Sequence, residues 1–184
     1  MKKIEIEIPD GKRAEWINGV LTLVDEPKEG DRPVTERIKT FEDACEELGC
    51  EHQYVKEYRE CMRTGLYECK AVMAYLKLRI ITAALNEGWV PTFGEDECRY
   101  YPWFYIYAKE KYEKLDKGDK RFSRVPLRSY SNASAVGGLV FAGAGVAGSN
   151  SFSNYGVRLA LKTEGPAEYC GKQFIDIWAD FLFA

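Results

Sequence analysis

CKAVMAYLKLRIITAALNEGWVPTFGEDECRYYPWFYIY, residues 69–107, reads as one helix and one strand with breakers between them, and this stretch decides the fold class. Val72, Leu76, Ile80, Ala83 and Ala84 share one face of a helix over 69–87, and Tyr75 and Leu78 widen the stripe. A band that wide predicts burial on more than one side. Gly88 is placed to stop the helix, and Pro91 prevents its return. Tyr100–Tyr107 is aromatic on both faces, which suits a strand between two layers, while Pro102 argues for a sheet edge or a bend.

Upstream, Ile4, Ile6 and Ile8 alternate with Glu5 and Glu7, the period of a half-buried strand, and Pro9-Asp10-Gly11 reads as a turn. Trp16–Val24 is apolar but broken by Asn18-Gly19, which supplies the positive φ angles of a tight hairpin. Residues 1–26 are therefore expected to form a β-meander. Asp25–Pro33 is polar with two prolines and a glycine, the best linker candidate, and 34–184 is expected to form the main domain. There, Thr40 looks like a helix N-cap with Asp43 three positions on, Phe41, Ala44, Cys45 and Leu48 make one face, and Gly49 ends the helix. His52–Met62 predicts a second short helix with a solvated side.

Downstream, 110–120 is highly charged and expected to be exposed. Residues 127–154 are rich in Ser, Asn, Gly and Ala, with Leu139-Val140-Phe141 as a short strand inside them. Val157, Leu159 and Leu161 alternate as a strand. Thr163 should cap a final helix that tolerates Pro166 in its first turn and carries Cys170, Phe174, Ile177, Trp178 and Phe181 on one face. The fold class is α+β: an N-terminal β-meander, a helical middle, and a C-terminal mixed β region closed by a helix.

Composition narrows the function. The chain has 184 residues and a net charge of -3, so it lacks the positive excess of a phosphate-backbone binder, and no nucleic-acid partner is expected. The six cysteines have no C-x-x-C spacing and there is one histidine, His52, which argues against a structural zinc site. The charged start, MKKIEIEIPDGK, lacks the apolar run of an export signal, so the thiols are expected to be reduced. No apolar run is long enough for a membrane span.

Gly143-Ala-Gly145-Val-Ala-Gly148 matches G-x-G-x-x-G, but dinucleotide binding needs a helix straight after it, and Ser149–Asn154 is a poor helix sequence. No nucleotide cofactor, and no cofactor of any kind, is expected. His52 has no evident nucleophile partner, and Glu42, Asp43, Glu46 and Glu47 read as the wet face of their helix. The aromatic run is read chiefly as core, with Trp103 the residue to look for at the surface, where it would stack on a ring-bearing ligand. The small-residue segment 128–155 resembles a paratope pinned at both ends, and Arg128, Tyr130, Asn132, Asn150, Phe152, Asn154 and Tyr155 are its candidate contacts.

The segments TERIKTFEDACEELG (35–49), YLKLRIITAALNEGW (75–89), YYPWF (100–104) and GVRLALKTEGPAEYCGKQFIDIW (156–178) resemble an uncharacterised protein family of phages and prophages of gut Bacteroidetes. Residues 128–162, closing on Gly156-Val157-Arg158-Leu159, more weakly resemble the end of C-type lectin-like domains, which implies a variable ligand-binding surface. Together these resemblances imply a non-enzymatic phage protein, virion-associated or in the host cytoplasm. It would bind a ligand or receptor through 128–155. The alternatives are an intracellular protein that sequesters a nucleotide-like ligand near Trp103 or blocks a host protein, and an enzyme of unrecognised type. Self-association as a homo-oligomer is compatible with each.

Overall fold

A computed structural model of the chain describes residues 7–26, 29–65, 68–92, 94, 96–115, 124–127, 137–148 and 157–184. The chain divides into two compact units, Met1–Arg37 and Ile38–Ala184. Helices and antiparallel strands are both present, so the class is α+β.

In the first unit, β1 (Lys12–Ile17) and β2 (Val20–Asp25) pair antiparallel from Lys12↔Asp25 to Ile17↔Val20. Asn18 (φ 51) and Gly19 (φ 81) form the two-residue turn, whose left-handed backbone matches the twist of the strands. This is the hairpin that Asn-Gly predicts. Trp16 is 74% exposed on it. The preceding strand of the expected meander lies mostly outside the described residues. A single 3₁₀ turn, Glu29–Asp31, and the one-turn helix α1 (Val34–Arg37) complete the unit.

The second unit begins with three helices, α2 (Phe41–Leu48), α3 (Gln53–Arg63) and α4 (Lys70–Leu85). Thr40 and Asp43 form a reciprocal capping box. The Thr40 hydroxyl accepts from Asp43 N–H at 3.1 Å, and the Asp43 carboxylate accepts from Thr40 N–H at 2.8 Å and Lys39 N–H at 2.9 Å. Gly49 (φ 81) ends α2 in the left-handed conformation that glycine adopts without strain. α4 is buried on nearly all sides, including Leu78, Ile80, Ile81 and Ala84, because α2, α3 and α7 (Ile175–Phe183) all pack on it. Its first turn corrects the predicted stripe: Met73 and Ala74 are buried, whereas Val72 is 42% exposed. A helix apolar on all sides carries little phase in its pattern, so periodicity alone did not distinguish these neighbours.

β3 (Cys98–Ala108), the short helix α5 (Lys109–Glu113), β4 (Arg124–Leu127) and β5 (Gly137–Gly148) follow. The sheet is antiparallel with order β3-β5-β4, so Pro102 sits on an edge strand as proline must. Trp103 pairs with Gly143 and Phe104 with Phe141, so Ala142 is an extra residue on β5 and the strand bulges there. α6 (Glu164–Gln173) packs on β3 and β5, with Gly171 in contact with the Phe141 ring and Pro102. Leu139, Phe141, Ile175 and Ala179 form a buried cluster with Phe104 against it.

Three expectations are corrected. The G-x-G-x-x-G motif and the predicted three-residue strand belong to one twelve-residue strand, the middle of the sheet, so residues 137–148 of the proposed 128–155 loop are ordinary sheet. The strand expected over 157–161 is a 3₁₀ turn, Val157–Leu159, followed by one isolated bridge from Leu161 to Tyr100. Side chains of α4 take the carbonyls of Arg158 and Ala160, while Leu161 pairs with Tyr100 through both its N–H and its carbonyl. The final helix is two helices with a break at Phe174 (φ -111, ψ 28), which lets α6 face the sheet while α7 lies on α4.

Candidate functional site

Between the start of α3, the end of α4 and the 157–160 segment lies a cavity of about 390 Å³. α3 begins at His52, which is extended (φ -61, ψ 135) and caps the helix: its Nδ1 accepts from Tyr54 N–H at 3.2 Å. A neutral imidazole with an accepting Nδ1 carries its proton on Nε2, so the ring offers that N–H as a donor. The ring stands edge-on to Tyr54, with centroids 5.0 Å apart.

Tyr54 is itself held from behind. The Arg79 guanidinium lies 3.9 Å from its ring centre, and Arg79 Nη1 donates to Glu57 Oε2 at 2.7 Å. Gln53 Nε2 donates to Glu57 Oε1 at 2.8 Å. The Gln53 amide, then the charge of Arg79 and its hydrogen bond, then the more distant Arg158 hold the Glu57 carboxyl below its ordinary value against the opposing effect of burial.

The opposite wall comes from the end of α4. Glu87 (φ 47) and Gly88 (φ 84) are both left-handed, and Trp89 N–H donates back to Asn86 O at 2.9 Å. That turn brings Trp89, Val90 and Pro91 round to the cavity. A non-glycine residue in this region is uncommon, so Glu87 marks a turn whose shape its surroundings enforce.

The third side is fixed by α4 itself. Asn86 Nδ2 donates to Ala160 O at 2.9 Å, and its Oδ1 accepts from Lys162 N–H at 3.0 Å, as a peptide group in a sheet would. The single proton of the Thr82 hydroxyl has three carbonyls within reach, Leu78 O at 2.9 Å, Arg158 O at 3.1 Å and Arg79 O at 3.2 Å. Thr82 and Asn86, one turn apart, thus clamp 158–162 to the helix and set the exposed Arg158 side chain at the cavity mouth. Neither residue was singled out in the sequence, although two polar residues at i and i+4 within an otherwise apolar helical stretch are a readable signal.

Of the predicted contact residues, Trp103 is described: it is 56% exposed, and its indole lies over Gly145 of the neighbouring strand, where a Cβ would clash with it. It is not among the residues lining this cavity. Tyr105 is 58% exposed, and its ring lies 6.0 Å from that of Tyr107. Arg128, Tyr130, Asn132, Asn150, Phe152, Asn154 and Tyr155 lie outside the described residues. Among the described residues, no group of three His, Cys, Asp or Glu side chains could hold a metal ion, and no helix is long and apolar enough to cross a membrane. No protein-family model, curated protein or solved structure matches the chain.

Proposed function

We propose that this chain is a non-enzymatic binding protein that takes a small ligand into the cavity beside His52, Trp89 and Arg158. One observation carries the reading: segments 52–54, 82–91 and 158–160, distant in sequence, converge on one concave space with an apolar wall and a few fixed polar groups. The volume suits a small organic molecule. The likeness of long segments to phage proteins supports sequestration of a host metabolite or signal as the biological use, and moves the sequence-based idea of a ligand pocket from Trp103 to this cavity. A ligand at many times its dissociation constant raises the melting temperature by mass action. A thermal-shift screen of metabolites should therefore yield stabilising compounds whose effect is lost in Trp89→Ala. Compounds that stabilise Trp89→Ala as strongly as the wild type would place the ligand elsewhere.

A second reading, a receptor- or ligand-binding face on the sheet, is favoured by the exposure of Trp103 and Tyr105 two residues apart on edge strand β3. It would serve a virion-associated protein. Detection of the chain in purified particles by mass spectrometry, with binding lost in Trp103→Ala, would support it. Absence from particles would end the virion form.

A further inference from the structure

Resting on the cavity as the binding site, we infer the class of its ligand: a planar ring that carries an anionic oxygen group, such as a nucleoside monophosphate or an aromatic carboxylate. Among the described lining residues Arg158 is the only one with a full charge. It makes no ion pair within 4 Å among the described residues. Of the carboxylates nearby, Glu57 pairs with Arg79 at 2.7 Å and Glu51 with Lys56 at 2.7 Å, and Arg158 acts on Glu57 only as a more distant charge. Arg158 therefore brings the one formal positive charge of the described lining to the mouth, in a chain that is acidic as a whole.

The start of α3 adds to it. The helix has eleven residues and no acidic side chain in its first turn. The Gln53 backbone N–H has no acceptor among the described residues, and the His52 ring, whose Nδ1 takes the Tyr54 N–H, lines the same cavity. An open N–H at a helix N-terminus favours an anion, and a guanidinium binds carboxylate or phosphate oxygens through two parallel hydrogen bonds. These two anion-favouring features come from segments more than a hundred residues apart and meet at one cavity.

The remainder of the lining selects the rest of the ligand. Trp89 stands at one wall and Tyr54, fixed by Arg79 and His52, at another. Flat aromatic side chains favour a flat partner, whereas an isolated inorganic ion would leave that apolar wall unfilled.

Equilibrium dialysis with matched pairs tests this: adenosine 5′-monophosphate against adenosine, benzoate against benzamide, and inorganic phosphate alone. In at least one pair the acid should bind about tenfold or more tightly than its neutral partner, and more tightly than phosphate. Arg158→Gln should reduce that ratio to about twofold or less, and Arg158→Lys should keep part of it. The pair that responds separates a nucleotide from an aryl acid. Equal binding of neutral and charged partners, with no effect of Arg158→Gln, would overturn the anion requirement and leave the cavity as the site. Phosphate binding as tightly as the ring compounds would overturn the ring requirement. If no ring compound bound, charged or neutral, both the ligand class and the cavity reading would fall.

Discussion

At the scale of single residues, Asn86 and Thr82 carry more than their side-chain size suggests. Asn86→Ala would strand the buried carbonyl of Ala160 and the part-buried N–H of Lys162. Its expected cost is about 1–3 kcal/mol, read as a lower urea midpoint with an unchanged slope. Thr82→Val keeps the shape and removes one hydroxyl, so it should cost about 1 kcal/mol or less while freeing the carbonyl of Arg158. Cysteine reactivity is likewise set residue by residue. Burial pushes the Cys170 thiol up to about 12, with the neighbouring Trp178 acting the other way. Cys50, Cys69 and Cys98 are exposed. Titration of the native protein with a chromogenic disulfide should show three fast thiols, with Cys170 reacting only after denaturant is added.

At the scale of elements, the chemical helix signals differ in outcome: Thr163 stands at the N-cap of α6 as expected but makes no side-chain capping hydrogen bond, whereas the signals of α2 hold. The Thr40–Asp43 box and the Gly49 stop appear as expected because each satisfies a backbone group that the helix end leaves open. Thr40→Ala should destabilise by about 1 kcal/mol. The backbone N–H of Lys39, followed by that of Thr40, lowers the Asp43 carboxyl below its usual value. A lowered carboxyl contributes stability that is complete above its unfolded value near 4 and is lost as pH falls through the lower folded value. Urea midpoints measured from pH 6 down to pH 2 should therefore fall less steeply in Asp43→Asn than in the wild type. Gly171 joins α6 to the sheet: a Cβ there would lie 2.5 Å from the Phe141 ring and 2.7 Å from Pro102 Cβ. Gly171→Ala should cost about 1–3 kcal/mol by overpacking, visible as a lower melting temperature. No periodic pattern announces such a glycine, because its constraint comes from a strand thirty residues away.

At the scale of the molecule, the α+β class, the hairpin, α2, α3, α4 and the existence of the aromatic strand are legible in local chemistry, whereas that strand is not buried between two layers: Trp103, Tyr105 and Ile106 are exposed on the edge strand β3. What was not legible depended on contacts between distant segments. The glycine-rich run reads as a loop until Trp103 is seen lying over Gly145 and Phe141 against α6, which make small residues a requirement of a middle strand. The 157–161 segment alternates like a strand, yet Thr82 and Asn86 hold the carbonyls of Arg158 and Ala160 and the N–H of Lys162 to a helix, leaving Leu161 to pair with a strand. The cavity was missed for the same reason: His52, Trp89 and Arg158 have no common motif. The bridge between Tyr100 and Leu161, with N–H to carbonyl distances of 3.0 Å and 2.9 Å, begins three residues beyond Arg158 and joins that segment to β3. A molecule seated at the mouth would quieten both ends of this splice, so deuterium uptake at the Tyr100 and Leu161 amides should slow on the occupied side of a titration, reporting capture from the edge of a sheet that the captured molecule never touches.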